Sequence, residues 1–181
     1  MLTKSHRICS IAIVELGLIA SSSIVKNPVS IVIILAATAV GASLPDIDEY
    51  NSTVSRKSII NFSLFLKHRG ITHSLLGWLI FSGGLYYLMS LLLPVNVNFK
   101  EIPDCWSSLW LGLVIGYLLH LIEDSFSQKG VQWFAPFSGK KKHHVISYRA
   151  GGFFEKMLAF IALVSVIVMT CYWIWVSLPS I

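Results

Sequence analysis

The stretch "HLIED" places His120 and Asp124 four residues apart. On a helix that spacing puts both side chains on one face, where they can serve one metal ion together. The same ligand types recur elsewhere: His6 near the start, Asp46 and Asp48 in "LPDID", and His68 and His73 around Arg69 in "HRGITHS". Asp-x-Asp can present two carboxylates from one turn, to one ion or as a bridge between two. Imidazole with carboxylate and without thiolate favours zinc, manganese or iron over calcium or magnesium. The expected cofactor is a divalent metal, zinc with manganese as the alternative, in one or two copies.

Such an ion lowers the pKa of its water to about 7 and polarises a phosphoryl or acyl oxygen. A pair about 3.5–4 Å apart would stabilise attacking and leaving oxygens together. Asp48 or Glu123 would act as general base if not itself a ligand. Arg69, beside His68, is placed to neutralise a phosphate or carboxylate on the substrate, together with the run Lys140 to Lys142.

Each cluster also has a plainer reading. Asp46 and Asp48 could end a helix after Pro45 and face water. A single histidine at a helix end suits an interface because imidazole is amphipathic, and Arg69 serves equally well as a charged anchor. The combination shifts the balance. His120 lies about one turn inside an apolar run, where an unpaired polar group is costly and a partner is expected. Glu15 stands within another apolar run, nine residues from His6 and so on the opposite helical face. It reads as a supporting group behind the ligands or as an interhelical hydrogen-bond partner. His143 and His144 follow three lysines in a polar loop and read as solvated.

The elements that must position these residues are membrane helices. Hydrophobic residues make up 55% of the 181 and charged residues 13%, a balance that excludes an ordinary soluble protein. One membrane-embedded domain, residues 1–181, is expected. The apolar segments are Ile8 to Val25, Val29 to Leu44, His73 to Leu93, Ser108 to Ile122 and Met157 to Leu178. The first resembles a signal peptide, but Glu15 at its centre argues against cleavage. Gly112 and Gly116 would let another helix approach closely. The spacing of Ile59, Phe62 and Leu66 predicts a short interfacial helix between Ser58 and His68. The fold expected is all-α, a polytopic bundle of about five transmembrane helices plus that short helix.

Threading five spans gathers Lys4, Arg7, Arg56, Lys57, Lys67, Arg69, Lys129, Lys140, Lys141, Lys142, Arg149 and Lys156 on one side, 12 of the 14 basic residues. By the positive-inside rule the amino terminus lies inside and the carboxyl terminus outside. The net charge of +5 is thus a topology signal, and no nucleic-acid partner is expected. Cys9, Cys105 and Cys171 lie far apart, which argues against a disulfide framework and a thiolate site. All the ligand candidates fall at the inner ends of the spans.

The order of His6, "LPDID", "HRGITHSLLG" and "GYLLHLIEDSFSQKGVQWFAPFS", over about residues 5 to 137, resembles the YdjM-like inner-membrane metal-dependent hydrolases, one member of which is described as LexA-regulated. The resemblance implies a metal site at His6, Asp46, Asp48, His68, His73, His120 and Asp124. It also implies that Ser127, Gly130, Pro136 and Phe137 shape the loop after it. A remoter likeness to zinc-dependent phospholipase C implies phosphoester chemistry. The expected function is therefore hydrolysis of a phosphoester or lipid at the inner membrane face, with the bilayer and an amphiphilic substrate as partners. The alternatives are a metal transporter and a structural or regulatory membrane protein with a non-catalytic metal.

Overall fold

The computed structural model describes residues 1–21, 27–48, 71–96, 104–128, 130–137 and 148–177. Those residues form five α-helices and no strands: α1 (Thr3–Ala20), α2 (Pro28–Gly41), α3 (Leu75–Leu92), α4 (Cys105–Ser125) and α5 (Phe153–Ser177). One-turn 3₁₀ helices, Pro45–Asp48 and Ile71–His73, follow α2 and precede α3. The expected interfacial helix between Ser58 and His68 lies outside the described residues.

Local chemistry sets the helix starts. The Asn27 side chain accepts from Ser30 N at 3.3 Å, and Pro28 opens α2 where its missing N–H costs nothing. Ser74 Oγ accepts from Gly77 N at 3.1 Å, and Asp104 Oδ1 accepts from Ser107 N at 2.8 Å. That second cap starts α4 at Cys105, three residues before the apolar run alone suggests. The helix runs on to Ser125, so both His120 and Asp124 belong to it.

Three helices, α3, α4 and α5, are long and apolar enough to cross a membrane. With 14 residues, α2 reaches only about 21 Å, short of the roughly 30 Å hydrocarbon core. α1 has 18 residues but carries Lys4, Arg7 and Glu15. α5 turns Phe160, Val168 and Trp175 outward at 65%, 60% and 78% exposure, a surface that suits lipid and not water.

Because α2 is short and weakly patterned, it depends on α4. A Cβ at Gly112 would stand 2.5 Å from Ile34 O and 2.6 Å from Ala37 Cβ. One at Gly116 would overlap Thr38 O, and one at Gly41 would overlap Leu113 O. The backbones meet directly, which the spacing of Gly112 and Gly116 foretold. α3 is tied to α4 by indole donors: Trp78 Nε1 to Val114 O at 3.0 Å and Trp110 Nε1 to Ser82 O at 3.1 Å.

α1 and α5 run parallel. Ser5 Oγ donates to Glu155 at 2.7 Å near their starts, and Thr170 Oγ1 donates to Glu15 at 2.8 Å ten residues further along α1. Glu15 is therefore an interhelical hydrogen-bond partner.

Candidate metal centre

Four chain segments deliver ligand-type side chains to one end of the bundle. His6 comes from the first turns of α1, which begins at Thr3, so this residue is inside the helix and not before it. Asp46 comes from the turn after α2, His73 from the turn before α3, and His120 and Asp124 from the end of α4. His6, His73 and His120 are fully buried, and Asp46 and Asp124 nearly so at 5% and 1% exposure. A set of polar groups this deep must be mutually satisfied or hold something between them.

The outward-facing ring nitrogens orient the set. His120 Nδ1 lies 2.8 Å from Ala42 O and, as the donor to that carbonyl, leaves Nε2 as an acceptor. His6 Nδ1 lies 2.5 Å from Glu123 Oε2. Nε2 of His6 is 3.3 Å from Asp124 Oδ1, Nε2 of His73 is 4.0 Å from Asp124 Oδ2, and Nε2 of His120 is 3.7 Å from Asp46 Oδ1 and 3.9 Å from Asp124 Oδ2. The His6 and His120 rings stack with centroids 3.9 Å apart.

Two triads, His6 with His120 and Asp124, and Asp46 with His73 and His120, each bring ligand atoms within 4.8 Å of one another. His120 belongs to both. Its one Nε2 lone pair can bind one ion, so the two triads cannot both be completed through it at once. The Nε2 atom of His120 has no hydrogen-bond partner among the described residues, as a vacant metal ligand would. Three imidazoles with two carboxylates fit zinc or manganese. Burial pushes the Asp46 carboxyl above its usual range, opposed by the nearby His6 and by Thr3 Oγ1 donating at 2.7 Å.

Of the other residues singled out by sequence, Asp48 ends the 3₁₀ turn that carries Asp46, and its side chain is not among those described. His68, Arg69, Lys140 to Lys142, His143 and His144 lie outside the described residues. Glu123 is within the cluster but faces away from the shared space: Oε2 meets His6 Nδ1, and Oε1 accepts from Ser10 Oγ at 3.0 Å. That is the geometry of a carboxylate that orients a ligand histidine. Glu123→Ala is expected to lower zinc affinity about 10- to 100-fold. If Glu123 served instead as a general base, the variant would keep its zinc and lose turnover, which isothermal titration beside an activity assay would reveal.

The chain after Asp124 holds the His73 turn in place. Ser127 Oγ donates to Asp124 O at 2.8 Å, and Gly130 adopts φ 61°, a conformation glycine takes without strain. Trp133 then donates Nε1 to Ser125 Oγ at 2.9 Å and accepts at its carbonyl from Leu75 N at 2.9 Å. Tyr117 OH donates to Thr72 O at 2.6 Å. Phe137 is 85% exposed, with its N donating to Phe134 O at 2.8 Å.

Sequence reasoning missed Glu155. It is fully buried at the start of α5 and accepts from Leu2 N at 2.8 Å, Ser5 Oγ at 2.7 Å and Gly151 N at 2.9 Å. One carboxyl thus fixes the start of α1, and with it His6. The only signal was an acidic residue at the mouth of an apolar run, in "FFEK".

A family model described as YdjM inner membrane protein matches residues 1–180. The chain belongs to the YdjM inner membrane protein family. The YdjM match runs past the motifs that end near residue 137 and takes in α5, the helix that carries Glu155. Among curated proteins, this YdjM-family chain is 30% identical over 148 residues to the uncharacterized protein YvsG of Bacillus subtilis (strain 168), covering 80% of the chain and 79% of YvsG. No solved structure gives a significant match.

Proposed function

We propose that this membrane protein is a metal-dependent hydrolase that acts at the inner membrane face on a phosphoester of a lipid or another amphiphile. The observation that carries the reading is the convergence of His6, Asp46, His73, His120 and Asp124 from four segments on one buried point. Zinc or manganese bound there would polarise a phosphoryl oxygen and lower the pKa of its water. The chain's own residues hold and orient the ligands: Ala42 O fixes the His120 ring, Glu123 fixes His6, and Thr3 Oγ1 holds Asp46. Each triad supplies three ligands, the number a catalytic zinc site keeps beside an open fourth position for water or a substrate oxygen. Arg69 and the Lys140 to Lys142 run would receive the headgroup, and Asp48 would serve as base or as a ligand to a second ion. The basic residues assigned to one side by their sequence positions support an amino terminus inside and a carboxyl terminus outside.

The site lies at helix ends, whereas transport sites tend toward the bilayer midplane, which speaks against an ion carrier. The complete burial of His6, His73 and His120 favours one competing reading, a structural ion that clamps α1, α4 and the turn before α3. Turnover separates the two. Zinc-loaded protein in detergent is expected to release phosphate from phosphatidic acid, or p-nitrophenol from its phosphoesters, and to stop on chelation or on Asp124→Asn. Folded, zinc-bound protein without turnover on phosphomonoesters, phosphodiesters and carboxyl esters would overturn the hydrolase reading in favour of the clamp.

A further inference from the structure

A second polar feature lies away from the metal centre. A cavity of about 300 Å³ lies between α1, α2 and α5, lined by Ile11, Glu15, Ile31, Leu35, Thr170 and Trp173. That volume is at the lower end of small-molecule pockets, about 300–1,000 Å³. Glu15 is nine residues from His6, so it sits about 13.5 Å further along α1 and on the opposite face.

Glu15 is 2% exposed. Its Oε1 accepts from Thr170 Oγ1 at 2.8 Å, while Oε2 has no hydrogen-bond partner among the described residues. A carboxyl oxygen left unpaired in apolar surroundings is costly, so Oε2 is short of one hydrogen-bond partner. A hard metal cation is a poor candidate, because it wants six or more oxygens and the lining supplies one carboxyl and one hydroxyl. A water alone would need two to four polar partners. What fits is a mostly apolar molecule with a single hydroxyl. Val32, also on the wall, is 55% exposed on the outer surface of the bundle, so the cavity is reached from the hydrocarbon side.

We propose that this cavity binds a neutral lipid alcohol whose hydroxyl donates to Glu15 Oε2 while its chain lies against Ile11, Ile31 and Leu35. The site is independent of the metal-dependent reading. Both a long-chain fatty alcohol and a diacylglycerol carry the required chemistry.

The test uses the full chain in lipid nanodiscs with a photoreactive diazirine-bearing hexadecanol, beside the same probe with its hydroxyl converted to a methyl ether. Adducts are mapped by mass spectrometry. The alcohol is expected to label the cavity residues about tenfold more than the ether, the worth of one buried hydrogen bond. Glu15→Leu should erase that difference while zinc content stays unchanged. Competition by unlabelled hexadecanol or by dioleoylglycerol then tells which source the cavity prefers. Equal labelling by alcohol and ether in the wild type, a comparison that needs no variant to fold, would overturn the proposal. So would adducts that map elsewhere or persist undiminished in Glu15→Leu.

Discussion

His120→Ala is expected to weaken zinc binding by about 100-fold or more, since even groups behind the ligands cost about 10- to 100-fold when removed. His120 is the residue common to both ligand triads, and its ring stacks on His6. Its loss also leaves Ala42 O without the imidazole donor, at a cost of about 1–3 kcal/mol for a buried group. Zinc affinity and folding must therefore be read separately. Asp124→Asn keeps the shape of its side chain and removes the charge, so it should lose zinc with less effect on the fold. Titration of chelator-stripped protein by calorimetry, beside thermal unfolding in detergent, checks both variants. Wild-type zinc affinity in His120→Ala would remove these triads as the metal site.

The second large effect is expected from Gly116→Val. The new Cβ would overlap Thr38 O and stand 2.8 Å from Ala42 N and 3.0 Å from Thr38 C, all backbone atoms that yield only if α2 and α4 part. Overpacking typically costs 1–3 kcal/mol, and a clash with backbone on a short helix belongs at about 3 kcal/mol. Parting the helices also moves Ala42 O away from His120 and shifts Asp46, so zinc affinity should fall with stability. Gly83→Val on α3 is the matched control, because nothing lies within 4 Å of its Cβ. Equal melting temperatures and zinc affinities for the two variants would show that α2 and α4 do not meet at Gly116.

What the sequence disclosed was local. The four-residue spacing of His120 and Asp124 needs only a helix to become a shared face, and the spacing of Gly112 and Gly116 needs only a helix to become a contact stripe. The positions of Asp46 and His73 beside apolar runs likewise survived, because both sit in turns next to helix ends. The pairing of helices was not legible. Nothing in "SIAIVELG" says that Glu15 meets Thr170, 155 residues away, or that the start of α1 runs beside α5. Glu155 became visible only once that parallel pair brought it to Leu2 and Ser5. From sequence, Glu123 reads as a general base if it is not itself a ligand. On a helix, adjacent residues point about 100° apart, and that turn sends Glu123 behind His6 while Asp124 faces the shared space.

The most direct measurement is the metal content of the wild-type chain, purified in detergent without chelators, reconstituted with zinc or manganese and freed of excess ion, by inductively coupled plasma mass spectrometry. A centre built from His6, Asp46, His73, His120 and Asp124 predicts stoichiometric metal that survives the removal of excess ion. Folded protein that retains none would contradict it, and the buried histidines would then be no more than a polar core between helix ends.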